Sequence, residues 1–201
     1  MSDQIQHECG IAMLRLLRPL EYYQKKYGTA LYGLNKMYLL MQKQVNRGQD
    51  GAGLVNIKID TPPGRPYISR RRSVDPNSIQ EVFRNIGERF GVIKKKFPEK
   101  FKNTKWLKNN HPFTGELFLG HLRYGTYGKN SITHCHPILR QNNWQSRNLV
   151  LAGNFNMTNV EELIAQLIEL GQHPKEKSDT VTILEKIGHF TDEENTRLYH
   201  K

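Results

Sequence analysis

The sequence predicts an α+β fold in which mainly antiparallel sheets are layered with helices. Short apolar runs with strand character fall into groups separated by turn residues, and amphipathic helical stripes lie between the groups instead of following every strand. A doubly wound parallel sheet would require strand and helix to alternate throughout, and no internal repeat is visible.

The elements follow in order. After a polar start, Cys9-Gly10-Ile11-Ala12-Met13-Leu14 reads as a buried strand. Ala30, Leu34, Met37, Met41 and Val45 recur at spacings of four and three, which predicts an amphipathic helix from Thr29 to Asn46, ending before Gly48. A glycine-rich turn, residues 47–53, leads to strands at Leu54–Ile59 and Tyr67–Arg71, parted by Pro62-Pro63-Gly64. Ile79, Val82, Phe83, Ile86, Phe90 and Ile93 form a second helical stripe, followed by a lysine-rich, surface-lying stretch to Lys108. Further strands are expected at Leu117–Arg123 and Asn148–Leu151. Thr158-Asn159-Val160-Glu161 fits a capping box ahead of a helix, and Ser178-Asp179 caps a last helix to about Ile187. The charged tail from Thr191 ends without a cap or closing strand, which suggests a domain cut from a longer chain.

A length of 201 residues favours one domain and allows a real core. With 37% hydrophobic and 24% charged residues the composition is globular, which excludes fibrous and disordered classes. No apolar run approaches the roughly 20 residues that cross a bilayer, and the start lacks an export signal, so a cytoplasmic protein with no membrane partner is expected. Without such a signal, Cys9 and Cys135 are expected to be free thiols.

Cys9 is the first candidate for chemistry. A cysteine attacks as its thiolate, but a free thiol has a pKa of about 8.5 and needs a base or a cationic neighbour. Were the chain cut before Cys9, the new α-amino group, with a pKa of about 7.7–8.0, would lie on the same residue as the thiol and could take its proton. Taken alone, a cysteine in an apolar run is more often a core residue.

The order of motifs changes that weighting. Cys9-Gly10-Ile11-Ala12, then Arg47-Gly48-Gln49-Asp50-Gly51-Ala52-Gly53, then Gly120-His121-Leu122-Arg123-Tyr124-Gly125-Thr126-Tyr127-Gly128, then Gly153-Asn154-Phe155-Asn156-Met157-Thr158-Asn159, and finally Ser178-Asp179-Thr180 occur in sequence. Together they resemble the glutaminase domain of class II glutamine amidotransferases, the N-terminal-nucleophile type, in its amidophosphoribosyltransferase branch. The resemblance spans nearly all of the chain apart from residues 1–8 and the lysine-rich insertion at about 73–110.

That resemblance implies a four-layer αββα sandwich of two mainly antiparallel sheets between helical layers, the N-terminal-nucleophile hydrolase fold. It implies that Cys9 attacks the side-chain amide of glutamine, forms a γ-glutamyl thioester and releases ammonia. Arg123 would pair with the substrate α-carboxylate, which suits a guanidinium fork, with Thr126 bordering the same pocket and Asp179 receiving the α-ammonium. Asn154 would hold the oxyanion together with the backbone N–H at Phe155, and Arg47, Gly48 and Gly53 would shape the pocket floor. Separately, Arg123 reads as a surface charge, Asn154 as a turn former and Asp179 as a helix cap. The resemblance implies no cofactor. The implied partners are glutamine and a C-terminal phosphoribosyltransferase domain that lies outside these residues, while a homo-oligomer stays open.

Two departures from the family pattern matter. Phe155 stands where the family has glycine, which is costly if φ there is positive. Residues 1–8 are expected to be a leader or propeptide ahead of a glutaminase domain at 9–201. While Glu8–Cys9 is uncut, the nitrogen of Cys9 is a non-basic amide. A non-catalytic or regulatory relative with the same fold is therefore the alternative.

Other patterns carry less. Extended, His134-Cys135-His136 would set its histidines and its cysteine on opposite faces, so no metal is expected. The charge balance of 30 − 19 = +11, with Arg70-Arg71-Arg72, Lys94-Lys95-Lys96 and lysines interleaved with Phe101 and Trp106, could be a nucleic-acid footprint. A solvated face is the preferred reading, and nucleic acid is not an expected partner.

Overall fold

The computed structural model describes residues 8–125, 131–174 and 176–200. The chain divides into two compact units, Met1–Pro137 and Ile138–Lys201.

The first unit is built on a four-stranded, wholly antiparallel sheet of β1 (Gly10–Arg15), β2 (Gly51–Ile57), β3 (Ile68–Ser73) and β4 (Leu117–Arg123), in the order β1-β4-β2-β3. Its helices are α1 (Leu20–Tyr27), α2 (Tyr32–Lys43), α3 (Ser78–Lys96), α4 (Pro98–Lys102) and α5 (Thr104–Asn110). Packed against the sheet, α2 contributes Leu34, Met37 and Met41 to a core shared with Leu54, Phe118 and Leu122. The stripe expected on α3 is the face it buries, since Ile79, Val82, Ile86, Phe90 and Ile93 all lie in that core. At about 25 cal/mol per Å² of apolar surface, this continuous core is the main source of the unit's stability.

Several local expectations are corrected. The glycine-rich stretch is a turn only to Asp50, because Gly51, Ala52 and Gly53 already pair with β3 and β4. β2 is central and buried on both faces, so its residues show no alternation to read. The helix expected from Thr29 begins at Tyr32, where the Thr29 hydroxyl accepts from the Leu31 N–H at 3.0 Å. The preceding α1 was not anticipated. Its tyrosines disguise it, stacking between helices with the Tyr27 and Tyr32 rings 4.3 Å apart. The lysine-rich stretch is helical, and its lysines are exposed except Lys108, which is largely buried against Glu116. Asn103 caps α5 by accepting from the Trp106 N–H at 2.9 Å, and Leu107 is fully buried.

In the second unit β5 (Ile138–Arg140) and β6 (Leu149–Leu151) form an antiparallel pair, packed with α7 (Asp179–Tyr199), which in turn packs on α6 (Val160–Glu169). The expected capping box is absent from α6, whose N-cap is Asn159 with no side-chain hydrogen bond. Ser178 does cap α7, accepting from the Val181 N–H at 3.4 Å. The last helix, expected to about Ile187, continues through the charged stretch to Tyr199, anchored where Arg140 of β5 binds Glu185 at 3.0 Å and Asp192 at 2.6 Å.

The expected α+β class thus stands, with two wholly antiparallel sheets, each packed with helices in its own unit. Among the described residues no helix is long and apolar enough to cross a membrane.

Candidate active site

Three segments of the first unit meet at one end of its sheet: the residues entering β1, the turn before β2 and the end of β4. The register that pairs Gly10 with Leu122 and Gly51 with Arg123 enforces this meeting. Cys9, half-buried, sits one residue before β1, and the Tyr124 N–H points at its sulfur, with N to Sγ 3.5 Å. The sulfur lies 3.9 Å from the Tyr124 carbonyl oxygen. Among the described residues these main-chain groups are its hydrogen-bond partners, and no histidine or carboxylate bonds to it.

Arg123 closes β4 and is only 7% exposed, with Nη1 donating to the Ser131 carbonyl at 3.4 Å. Gly48 lies flat against this strand end. A Cβ there would come within 2.6 Å of the Leu122 oxygen and the Arg123 carbonyl carbon, so no larger residue fits without moving backbone. Asp50 ties the turn to the same strand, its N–H donating to the Arg123 oxygen at 3.0 Å and its Oδ2 accepting from the Gly125 N–H at 2.7 Å. Sequence reasoning gave Asp50 no role, because an aspartate in a glycine-rich turn is ordinary turn chemistry. Arg47 reaches back to Glu8, Nη2 to Oε2 3.2 Å, with both side chains about half exposed.

Cys9, Arg47, Gly48 and Arg123 are therefore brought together. Gly53 lies within β2, and Thr126 lies outside the described residues.

The other expected residues belong to the second unit. Asn154 is exposed in the loop after β6. Phe155 folds its ring over Gly153, where a Cβ would stand 2.3 Å from ring carbon Cζ. The described non-glycine residues with positive φ are Asp60 and Phe113, so Phe155 carries no left-handed strain. Asp179 opens α7, and its Oδ2 accepts from the Met157 N–H at 3.0 Å, which fastens the end of the asparagine loop to the helix start.

His134-Cys135-His136 is not an extended ladder. A 3₁₀ turn ends at His134, and the His136–Pro137 peptide is cis. Cys135 is fully buried, its sulfur 3.4 Å from the Ala52 oxygen, and burial pushes its thiol up to about 11 against the pull of Arg72 and Arg123. Such a thiol stays protonated and inert at neutral pH, which leaves Cys9 as the nucleophile candidate.

The sequence is 29% identical over 142 residues to an amidophosphoribosyltransferase of Lacticaseibacillus casei. The chain is related to amidophosphoribosyltransferase. The match takes in 71% of this chain and 57% of that amidophosphoribosyltransferase, so the chain spans little more than half of its relative's length. A solved structure, glutamine phosphoribosylpyrophosphate amidotransferase from B. subtilis complexed with ADP and GMP, overlays 86% of this chain and 27% of its own, at 22% identity and a TM-score of 0.45. No family model matches the chain.

Proposed function

We propose that this chain is the ammonia-releasing glutaminase part of an amidophosphoribosyltransferase-like protein of purine biosynthesis. The observation that carries the reading is the sulfur of Cys9, held by the Tyr124 main chain at the sheet end shared with Arg123 and Arg47. A thiol with no side-chain base among its described hydrogen-bond partners needs its proton acceptor from elsewhere, and the α-amino group of a newly exposed Cys9 supplies one.

In this reading the sulfur attacks the side-chain amide of glutamine. The tetrahedral intermediate collapses to a γ-glutamyl thioester and ammonia, and water then releases glutamate and restores the thiol. Arg123 takes the substrate α-carboxylate, Thr126 borders that pocket, and Asp179 takes the α-ammonium. Asn154 and the Phe155 N–H stabilise the oxyanion. Residues 1–8 act as a propeptide. The ammonia acceptor is a phosphoribosyltransferase domain carried by a longer chain, and the enzyme works in the cytoplasm.

Glutamate release from glutamine, measured on the intact chain, on a chain beginning at Cys9 and on the latter with Cys9→Ala, tests the reading. Turnover is expected only from the chain beginning at Cys9, with Cys9→Ala at background. Turnover by a chain whose intact mass still includes residues 1–8, or equal rates with and without the thiol, would sink it.

A further inference from the structure

A second concave site lies in the first unit, on the sheet face that α3 covers. Pairing of Asn56 with Ser69 and of Leu54 with Arg71 puts Lys58, Ser69 and Arg71 on that face, whereas Arg70, one residue off, turns to the other and donates to the Pro137 oxygen at 3.4 Å. Lys58, Ser69 and Arg71, with Arg89 of α3 and Asn110 and His111 at the end of α5, line a cavity of about 440 Å³. That volume lies in the range of small-molecule sites, roughly 300–1,000 Å³.

The cavity is unusual in charge. Four cationic residues, Lys58, Arg70, Arg71 and Arg89, line it, and no acidic residue does. Lys58 is only 5% exposed, and its ammonium makes no hydrogen bond or ion pair among the described residues. The carboxylate that acts on it, Glu116, is already engaged: Lys108 Nζ lies 2.5 Å from Oε1, and the Ile59 N–H donates to Oε2 at 2.9 Å. A buried ammonium without a partner is costly, and burial together with Lys108 pushes its pKa down. The same surroundings act on His111, whose protonation is disfavoured by burial, by Arg89 and by Lys58. An anion is the ligand that would neutralise such a cluster, and two guanidinium forks beside an ammonium match the oxygens of a phosphate.

We propose that this cavity is a binding site for a small phosphate-bearing anion, such as a phosphate ester or pyrophosphate, held between Lys58, Arg71 and Arg89. It stands apart from the glutamine chemistry and does not depend on it.

Calorimetric titration of the full chain with inorganic pyrophosphate tests the site, alongside orthophosphate and a short single-stranded DNA. One equivalent per chain is expected. Binding should weaken roughly tenfold or more in Lys58→Met and in Arg71→Gln, as suits loss of a charge-assisted contact, and should be unchanged in Lys95→Ala on the exposed side of α3. Arg71→Gln lies at an exposed strand position and keeps the test decisive should Lys58→Met fail to fold. Wild-type affinity in a folded Lys58→Met or Arg71→Gln overturns the proposal. So does ill-defined stoichiometry lost equally in Lys95→Ala, or DNA that binds far more tightly and that pyrophosphate does not displace, which would assign the basic face to nucleic acid.

Discussion

At the scale of single residues, the two cysteines show how burial separates thiols that look alike in sequence. Cys135 is enclosed between β2 and the end of β3, its sulfur near the Ala52 and Ser73 carbonyls, and its pKa is pushed up to about 11. Cys9 is half-buried at a strand entry. At pH 8 a maleimide should label one thiol per folded chain, peptide mapping should place it on Cys9, and Cys135 should react only after denaturation. Labelling of Cys135 at a comparable rate would contradict the burial described here. The nucleophile candidate was legible because its motif is short and local. Asp50 was not, since its importance lies in two hydrogen bonds to residues more than seventy positions away, Arg123 and Gly125.

At the scale of elements, periodicity was readable wherever one face alone is buried. The stripe of α3 is of this kind. The apolar run of β1 reads as a buried strand, whereas Ile11 and Met13 are exposed and only alternate residues face the core. Periodicity failed for β2, buried on both sides, and for β5, whose three residues are too few to show a period. The arginine triplet gains meaning only in β3, where alternation sends Arg71 to one face and Arg70 and Arg72 to the other. Phe101 and Trp106, which could have stacked on bases, pack instead against the core. In the second unit β5 is joined to α7 by a single arginine, since Arg140 binds both Glu185 and Asp192 with little exposure of any of the three side chains. Arg140→Met leaves Glu185 without its arginine partner and Asp192 with only the longer Arg147 contact at 3.8 Å, and removing one member of such a buried set costs on the order of 3 kcal/mol. Urea unfolding should report that loss, and a change below about 0.5 kcal/mol would show that the pairing is solvent-screened.

At the scale of the whole molecule, the α+β class was legible from the grouping of strands, and the division into two compact units was not, because no linker-like composition marks residue 137. Stability should carry a pH signature from the first unit. Burial, Arg89 and Lys58 hold the His111 pKa below its ordinary value of 6.5, and neither ring nitrogen has a hydrogen-bond partner among the described residues. Between that lowered value and 6.5 the unfolded chain binds the extra proton, so stability rises with pH across this window and is fully present above it. The thermal midpoint of the wild type should therefore fall further between pH 7 and pH 5 than that of His111→Phe. Equal falls would mean that the imidazole is free to charge within the fold.

The contact between Glu8 and Arg47 has an electrostatic corollary. Severing the chain ahead of the nucleophile would carry off an anion that a guanidinium now holds and would put an ammonium-forming nitrogen at the new terminus. The vicinity of the sulfur would turn more cationic in that one event. Thiolate formation and attraction of a carboxylate-bearing amino acid would then be switched on together, by the same cut.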